Sequence, residues 1–370
     1  MIKYVRFKVT DFLFFIRRLL NSKKNENSLK GFKAFWRRIR LWVVLAFGLS
    51  LFLIIIRQIS LEDFLEVFSN VNIGFLLLAF IVGLSATVFK TIRYGYFFPP
   101  KDRWLSLYGS FGIMRVLFYV LPFHSGEIVS LNLLKKYRFS PTITETAPTW
   151  LFMRITDVIA VSLWFTAALA FTPSTGILYG KLNTVRWIII GISIGLIFLM
   201  MSLPFWISKI SFGNSSNWML NRLSLLKSGF QRTFGIKVFL RTLINSIIIW
   251  GSLIAFYVLA QITFDTPLEL WQCFVVSVSI WCFSLLPINA PLNIGTDEAA
   301  WTGIMVMAGM ESNQAVSIAL SIRIISMLVL LTDGLFGFIF LILKENRLKS
   351  EFQVNDFSII ENQASKNPIE

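Results

Sequence analysis

The chain has 370 residues, 55% hydrophobic and 15% charged, with a formal net charge of +15 from 35 Lys and Arg against 20 Asp and Glu. Soluble globular chains are about a quarter charged, so a mean hydropathy of +0.69 excludes an ordinary soluble domain and points to an all-α polytopic membrane protein. The positive charge shares the chain with bilayer-spanning helices, which argues against nucleic acid as a partner. A single histidine, and two cysteines (Cys273 and Cys282) in one apolar run, argue against a metal site or a disulfide scaffold.

Residues 1–40 hold twelve Lys and Arg against only Asp11 and Glu26. Arg17 and Arg18 interrupt the apolar patch 12–16 and no small-residue cleavage site follows, so this is not a secretory signal. It reads as a basic cytoplasmic tail, either a short helix lying on anionic headgroups or a solvated arm that fixes orientation. Six apolar stretches then reach spanning length: 41–56, 73–92, 148–171, 186–207, 243–263 and 314–343. The first is short and leans on Trp36 and Trp42 as interface anchors. Two further stretches, 104–134 and 271–310, break at Pro122 and at Pro287 and Pro291, with glycine and carboxylates just beyond. Each is expected to be a re-entrant pair of half-helices, with eight full spans as the alternative. Ser125 is placed to cap the helix after Pro122, and Thr296 or Asp297 the helix after Pro291. A polar tail, 344–370, closes the chain.

Loop charges orient these elements. Glu62, Asp63 and Glu66 outweigh Arg57 in 57–72, Asp265 and Glu269 are unopposed in 264–270, and six bases from Lys209 to Arg241 are unopposed in 209–241. The positive-inside rule then puts the first two loops outside, and the third inside with both termini, although Lys181 on the expected outer side runs against it.

The membrane domain, 41–343, repeats itself. Pro100 and Trp104 recur as Pro267 and Trp271, Leu121-Pro122 as Leu286-Pro287, Gly126-Glu127 as Gly295-Thr-Asp-Glu298, and Arg154 as Arg323. The offsets are 167, 165, 171 and 169 residues, one register with small indels. With the first hairpin entering from inside and the second from outside, 41–172 and 186–343 form an inverted-topology repeat. Broken helices in such repeats leave unpaired N–H groups and a positive dipole end within the bilayer, to be met by an anion, a carboxylate or water.

Arg115, His124, Glu127, Arg154, Asp157, Asp297, Glu298, Arg323 and Asp333 all fall inside apolar segments. Each costs about 2.5–3.5 kcal/mol at a helix centre unless paired or hydrated. Arg154 and Asp157, three apart, can neutralise each other. Two readings are open. The charges lock the halves together as buried pairs, or they line a central cavity where Arg154 and Arg323 bind a phosphate, oriented by Glu127 and Glu298. Ser125, Gly126, Asn293 and Gly295 at the half-helix starts complete the candidate set. His124 is either a proton carrier or a neutral hydrogen-bonding group. Cys273 and Cys282 are expected to be small packing residues.

Leu121-Pro-Phe-His-Ser-Gly-Glu127, Lys135-Lys136 and Arg154-Ile-Thr-Asp157 resemble the signature of the lysylphosphatidylglycerol synthase transmembrane region, a flippase-like domain. Leu286-Pro287, Gly295 to Glu298, Gly309 and Arg323 resemble its second half. The resemblance implies a multi-pass protein of the bacterial cytoplasmic membrane, related to the flippase half of the multiple peptide resistance factor, which translocates aminoacylated phosphatidylglycerol. The family also includes proteins associated with dolichol-linked sugar transfer and hopanoid biosynthesis. Met153 departs from the acidic residue common before the arginine. The soluble domain that attaches lysine does not follow Leu343, so this chain is not expected to be a synthase itself.

The leading expectation is a translocator of an anionic or aminoacylated phospholipid, or of a polyprenyl-phosphate lipid, with the basic tail drawn to the anionic inner leaflet. No cofactor is expected, and a homo-oligomer is compatible with this reading. A carrier-lipid-dependent glycosyltransferase using Glu127, Asp157 or Glu298 is the enzymatic alternative, although the sequence has no Asp-x-Asp pair and no nucleotide-binding loop. A non-catalytic partner in envelope assembly is the third.

Overall fold

The computed structural model describes residues 71–97, 104–121, 143–171, 235–284 and 293–366, with scattered positions among 49–69, at 134, and among 184–202; for 143–145, 282–284 and 344–366 it describes the backbone only. The described residues form helices: α1 (Ile73–Gly95), α2 (Trp104–Val120), α3 (Ile143–Ala170), α4 (Ile236–Thr263), α5 (Leu270–Ser284), α6 (Thr296–Met307) and α7 (Ser312–Lys366). Four are long and apolar enough to cross a membrane: α1, Thr146–Ala170 of α3, α4, and Ser312–Leu343 of α7. The chain is thus an all-α multi-pass membrane protein. At 17, 15 and 12 residues, α2, α5 and α6 run about 25, 22 and 18 Å, short of a hydrocarbon core about 30 Å thick. The expected spans 41–56 and 186–207, and the expected breaks at Pro122 and at Pro287 and Pro291, lie largely or wholly outside the described residues. The backbone of α7 stays helical past Leu343 to Lys366, through the stretch expected to be a polar tail.

Local chemistry sets the helix entries. Asn72 caps α1, its Oδ1 accepting from the N–H groups of Gly74 and Phe75 at 3.1 and 3.2 Å. The outer face of α1 exposes Ile73, Leu77 and Ile81, each about 60% or more accessible, as suits a lipid-facing stripe. Its inner face is small, with Ala79, Gly83, Ala86 and Thr87 buried. The start of α6 corrects a sequence expectation: its N-cap is Gly295, not Thr296 or Asp297. Asn293 and Gly295 both take positive φ, 53° and 78°, so the chain turns in before Thr296. The Gly295 N–H donates to Glu298 Oε2 at 2.7 Å, and the Thr296 hydroxyl donates back to the Asn293 carbonyl at 3.1 Å.

The helix pairs follow an exchange of α1 with α4, α2 with α5, and α3 with α7. Helices α1 and α4 pack on each other and run antiparallel, because contacts advance along one as they retreat along the other. The Asn72 N–H donates to the Thr263 carbonyl, Gly83 meets Phe256, and Arg93 meets Ser246. The pair α2–α7 is antiparallel through Gly109–Leu341, Gly112–Gly337 and Val116–Gly334. Its counterpart α3–α5 brings Trp164 and Phe171 against Phe274. The pair α1–α7 is parallel, with Gly83 on Val329 and Thr87 on Asp333, and its counterpart α3–α4 is parallel, with Thr156 on Ser246 and Trp164 on Gly251. This is the pattern two antiparallel halves produce, and it supports the repeat read from the sequence. The largest apolar cluster joins α1, α4, α5, α6 and α7 through residues such as Ala79, Phe256, Cys273, Trp301 and Ile322.

Glycines bring α2 and α7 into backbone contact. A methyl group on Gly109 would lie 2.8 Å from the Gly337 carbonyl oxygen, and one on Gly337 would lie 2.7 Å from that of Gly109. One on Gly112 would collide with the Asp333 carbonyl. Gly334-x-x-Gly337 and Gly109-x-x-Gly112 thus act as small-residue faces. Gly112→Ala is therefore expected to destabilise the detergent-solubilised protein by about 1–3 kcal/mol through forced separation. Gly303→Ala, on an exposed face of α6 with open space around it, is expected to be neutral or slightly stabilising. Thermal unfolding followed by circular dichroism checks both.

Candidate functional site

Between the halves lies a cavity of about 140 Å³, lined from α1, α2, α3, α4, α5 and α7. Four cations line it, Lys90, Arg93, Arg115 and Arg154, together with one carboxylate, Asp157. Its remaining wall is largely aromatic and aliphatic, including Phe111, Phe118, Trp150, Trp250 and Leu330.

Arg93, from the end of α1, is 1% exposed. It grips Asp157 of α3 with both terminal nitrogens, Nη1 on Oδ1 and Nη2 on Oδ2, the latter at 3.3 Å. Nη1 also donates to Ser246 Oγ of α4 at 2.7 Å, and Ser246 in turn donates to Thr156 Oγ1 at 3.2 Å. Three helices are thereby tied at one buried fork, the geometry for which a guanidinium is suited. Arg115 of α2 makes the second knot. Its Nη1 donates to Asp333 Oδ2 of α7, to Thr87 Oγ1 at 3.1 Å and to the Gly83 carbonyl at 3.0 Å. Asp333, fully buried, also accepts from the hydroxyls of Thr87 at 2.8 Å and Tyr108 at 2.9 Å. This carboxylate therefore gathers α1, α2 and α7.

Arg154 stands at the cavity with its guanidinium 4.0 Å from Asp157 Oδ2 and 5.8 Å from the Trp150 ring centroid. The expected Arg154–Asp157 pairing is the looser one, since Arg93 takes both carboxylate oxygens. Lys90, one helical turn before Arg93, also lines the cavity; among the described residues no carboxylate lies within ion-pair distance of it.

Arg323 is elsewhere. It lines a separate pocket of about 10 Å³ with Asp297 and Glu298. Its Nη1 donates to Asp297 Oδ2 at 2.8 Å, and its Nε lies 3.5 Å from Glu298 Oε1. Asn293 Nδ2 donates to the same Asp297 oxygen at 3.2 Å. Tyr119, Tyr257 and Ser326 line both spaces and stand between them. The structure thus brings Arg115, Arg154 and Asp157 together at one cavity, and Asp297, Glu298 and Arg323 together at another, with Asn293 and Gly295 donating to its two carboxylates. His124, Ser125, Gly126 and Glu127 lie outside the described residues. Met153, at the position where an acid was expected from the family pattern, is buried in an apolar cluster with Phe111 and Leu134.

Sequence reasoning missed Lys90 and Arg93. Both stand at the end of a span whose expected limit was residue 92, where a basic residue reads as an interface anchor. Their three-residue spacing and the Arg93–Gln261 correspondence, at the repeat's offset, were the available signals. Gln261 is also fully buried, its Nε2 donating to Ser277 Oγ at 2.8 Å and to the Cys273 carbonyl at 3.1 Å.

The family model of the lysylphosphatidylglycerol synthase TM region matches residues 41–334, most of the chain. No curated protein and no solved structure matches it.

Removing one partner of a buried ion pair leaves a charge without compensation, at about 3–5 kcal/mol, whereas removing both is far milder. Arg93→Met and Asp157→Leu are each expected to lower the thermal unfolding midpoint sharply, and the double variant to recover part of the loss. Additive losses in this double-mutant cycle would contradict the pairing.

Proposed function

Because the chain belongs to the lysylphosphatidylglycerol synthase TM region family, we propose that it is an integral membrane lipid translocator whose cargo carries a phosphate-bearing headgroup. The cargo classes are those of the sequence reading: an anionic or aminoacylated phospholipid, or a polyprenyl-phosphate lipid. The observation that carries the proposal is the cavity between the two halves, where Lys90, Arg93, Arg115 and Arg154 line a largely aromatic and aliphatic wall together with one carboxylate, Asp157. Four cations gathered within the spans are costly, and ionisable groups inside a membrane mark substrate paths by default. An apolar wall suits the acyl or prenyl end of the cargo, and fixed guanidinium forks suit its phosphate.

The repeat gives the cavity a means of opening to either side. Helices α1 and α4, antiparallel counterparts, meet beside it, and rocking of one half against the other exposes the same residues alternately to the two leaflets. The Arg323, Asp297 and Glu298 cluster serves as a brace for the entry of α6. The basic segments 1–40 and 209–241 lie on the cytoplasmic side in this reading, with both termini, and concentrate anionic lipid at the inner leaflet of a bacterial cytoplasmic membrane.

Reconstitution in liposomes with a fluorescent phospholipid, followed by dithionite quenching, tests the proposal. Wild-type protein is expected to expose the inner-leaflet pool, and Arg154→Ala to slow this at least about tenfold, equivalent to 1.4 kcal/mol of barrier. Arg323→Ala is expected to act chiefly on stability. Absence of translocation with every anionic lipid, or indifference to Arg154→Ala, would overturn the reading.

A further inference from the structure

A cleft of about 320 Å³ lies between α1, α2 and α7 and shares no lining residue with the central cavity. Its wall includes Val88, Thr91 and Ile92 of α1, Trp104 and Tyr108 of α2, and Phe340 of α7. All of these stand at one end of their helices. Val88 to Ile92 fall in the last third of α1, and Trp104 to Tyr108 in the first third of α2. Phe340 is in the last turn of the span Ser312–Leu343, and α7 runs parallel to α1. From Val88 to Gly95 the helix rises about 10 Å. The cleft is thereby confined to one leaflet, whose share of the hydrocarbon is about 15 Å deep.

The wall presents only apolar surface. Its two hydroxyls are committed elsewhere: Thr91 Oγ1 donates to the Thr87 carbonyl at 2.8 Å, and Tyr108 to Asp333 Oδ1 at 2.9 Å. Water has no polar partners there. The volume is less than that of one turn of a helix about 10 Å across and 5.4 Å in pitch, so a packed helix is a poor fit. Because α1 and α7 span the membrane, the mouth of the cleft, at Val88 and Leu105, opens to lipid. Trp104 closes one end. Its ring lies across Gly95, where any Cβ would collide with it. Tryptophan at the end of a span marks the headgroup level, so the cleft runs from that level into the acyl region.

We infer that this cleft holds one acyl chain of a bilayer phospholipid, a resident lipid distinct from any cargo, and that the chain braces the Arg115–Asp333 knot from outside. Lipid tails gain nothing hydrophobic by leaving the bilayer for protein, so retention rests on packing. Three helices offer the chain carbon on three sides, and such contacts are individually weak and collectively large. The occupant lies against groups that position the knot. The Tyr108 ring meets Phe340 edge to face at 5.8 Å, while its hydroxyl binds the carboxylate that holds Arg115. Thr91 stands one turn from Thr87, whose hydroxyl donates to the same Asp333. A chain in the cleft therefore limits how far Tyr108 withdraws from Asp333. The inference stands whether or not the protein is a translocator.

The experiment places a benzophenone side chain at Leu105, on the rim of the cleft, or at Ile81, on the lipid-facing stripe of α1, positions 61% and 64% accessible. The full chain is reconstituted in vesicles of dioleoyl phosphatidylglycerol and dioleoyl phosphatidylethanolamine, extracted and washed in dodecyl maltoside, irradiated and weighed by mass spectrometry. Position 105 is expected to retain at least about tenfold more phospholipid adduct than position 81. Val88→Trp, which fills the cleft, is expected to abolish that adduct. Tyr108→Phe is expected to keep it, because the hydroxyl faces Asp333 and not the chain. Adding either phospholipid back to washed protein is expected to raise the thermal unfolding midpoint, and to leave that of Val88→Trp where it was. Equal adducts at the two positions overturn the inference in favour of ordinary annular lipid. So does an adduct that survives Val88→Trp, or one lost in a Tyr108→Phe protein that melts cooperatively. Cross-linking of position 105 to another segment or to a second copy of the chain, in place of lipid, makes the occupant protein and overturns it as well. A retained adduct with no rise in the midpoint overturns the bracing role.

Discussion

A charge inside hydrocarbon must find its counter-charge within the protein, and this requirement organises the molecule. Arg93 and Asp157 sit on α1 and α3, and Arg115 and Asp333 on α2 and α7, so neutralising each pair fixes helices that are 64 and 218 residues apart in sequence. The apolar surfaces of the helices cannot do this on their own, because lipid tails are as good a solvent for leucine as another helix is. Polar groups add direction. Ser246 and Thr156 draw α4 to the first pair, and Thr87, Tyr108 and the Gly83 carbonyl draw α1 and α2 to the second.

These knots require backbones that can approach. Asp333 reaches Arg115 because its own carbonyl lies against Gly112, where a side chain would intrude, and the next turn is Gly337 against Gly109. The counterpart interface shows that the frame and its chemistry are separable. At the positions that correspond through the repeat to Arg115 and Asp333 stand Trp281 and Trp164, both packed into one apolar cluster. One helix pair is joined by an ion pair and its mate by indole rings. At these corresponding positions a frame with two-fold exchange carries an ion pair at one interface and apolar rings at the other, which is how a symmetric architecture acquires an electrically asymmetric interior.

Much of this frame was legible in the sequence, because it depends on local quantities. The length of apolar runs gave α1, α3, α4 and the membrane part of α7, and the repeated Pro, Trp, Gly and Arg positions gave the correspondence that the helix pairs follow. The contact of Arg323 with Glu298 was legible as well, since 25 residues and one turn separate them. Partner choice was not. Asp157 has Arg154 three residues away on its own helix, and sequence logic assigns it there, yet a guanidinium from another helix reaches both its oxygens. Nor does the sequence disclose that two equivalent arginines, Arg154 and Arg323, face different spaces. The separation is made by Tyr119, Tyr257 and Ser326, which come from three helices.

The same pairing logic separates structural cations from those left for a ligand. Arg93 has Asp157 on two nitrogens and Ser246 on one of them, and Arg115 has a carboxylate, a hydroxyl and a carbonyl on a single nitrogen. Displacing either guanidinium toward a phosphate would forfeit bonds that hold three helices together, so an incoming anion gains little from them. Lys90, with no described carboxylate within ion-pair distance, gives up far less when it turns to a ligand. Since only interactions in excess of those already made contribute to binding, the cations that matter least to the fold are the ones that dominate recognition, and Lys90, on α1 one turn before the Arg93–Asp157 fork, is such a cation in the cavity wall.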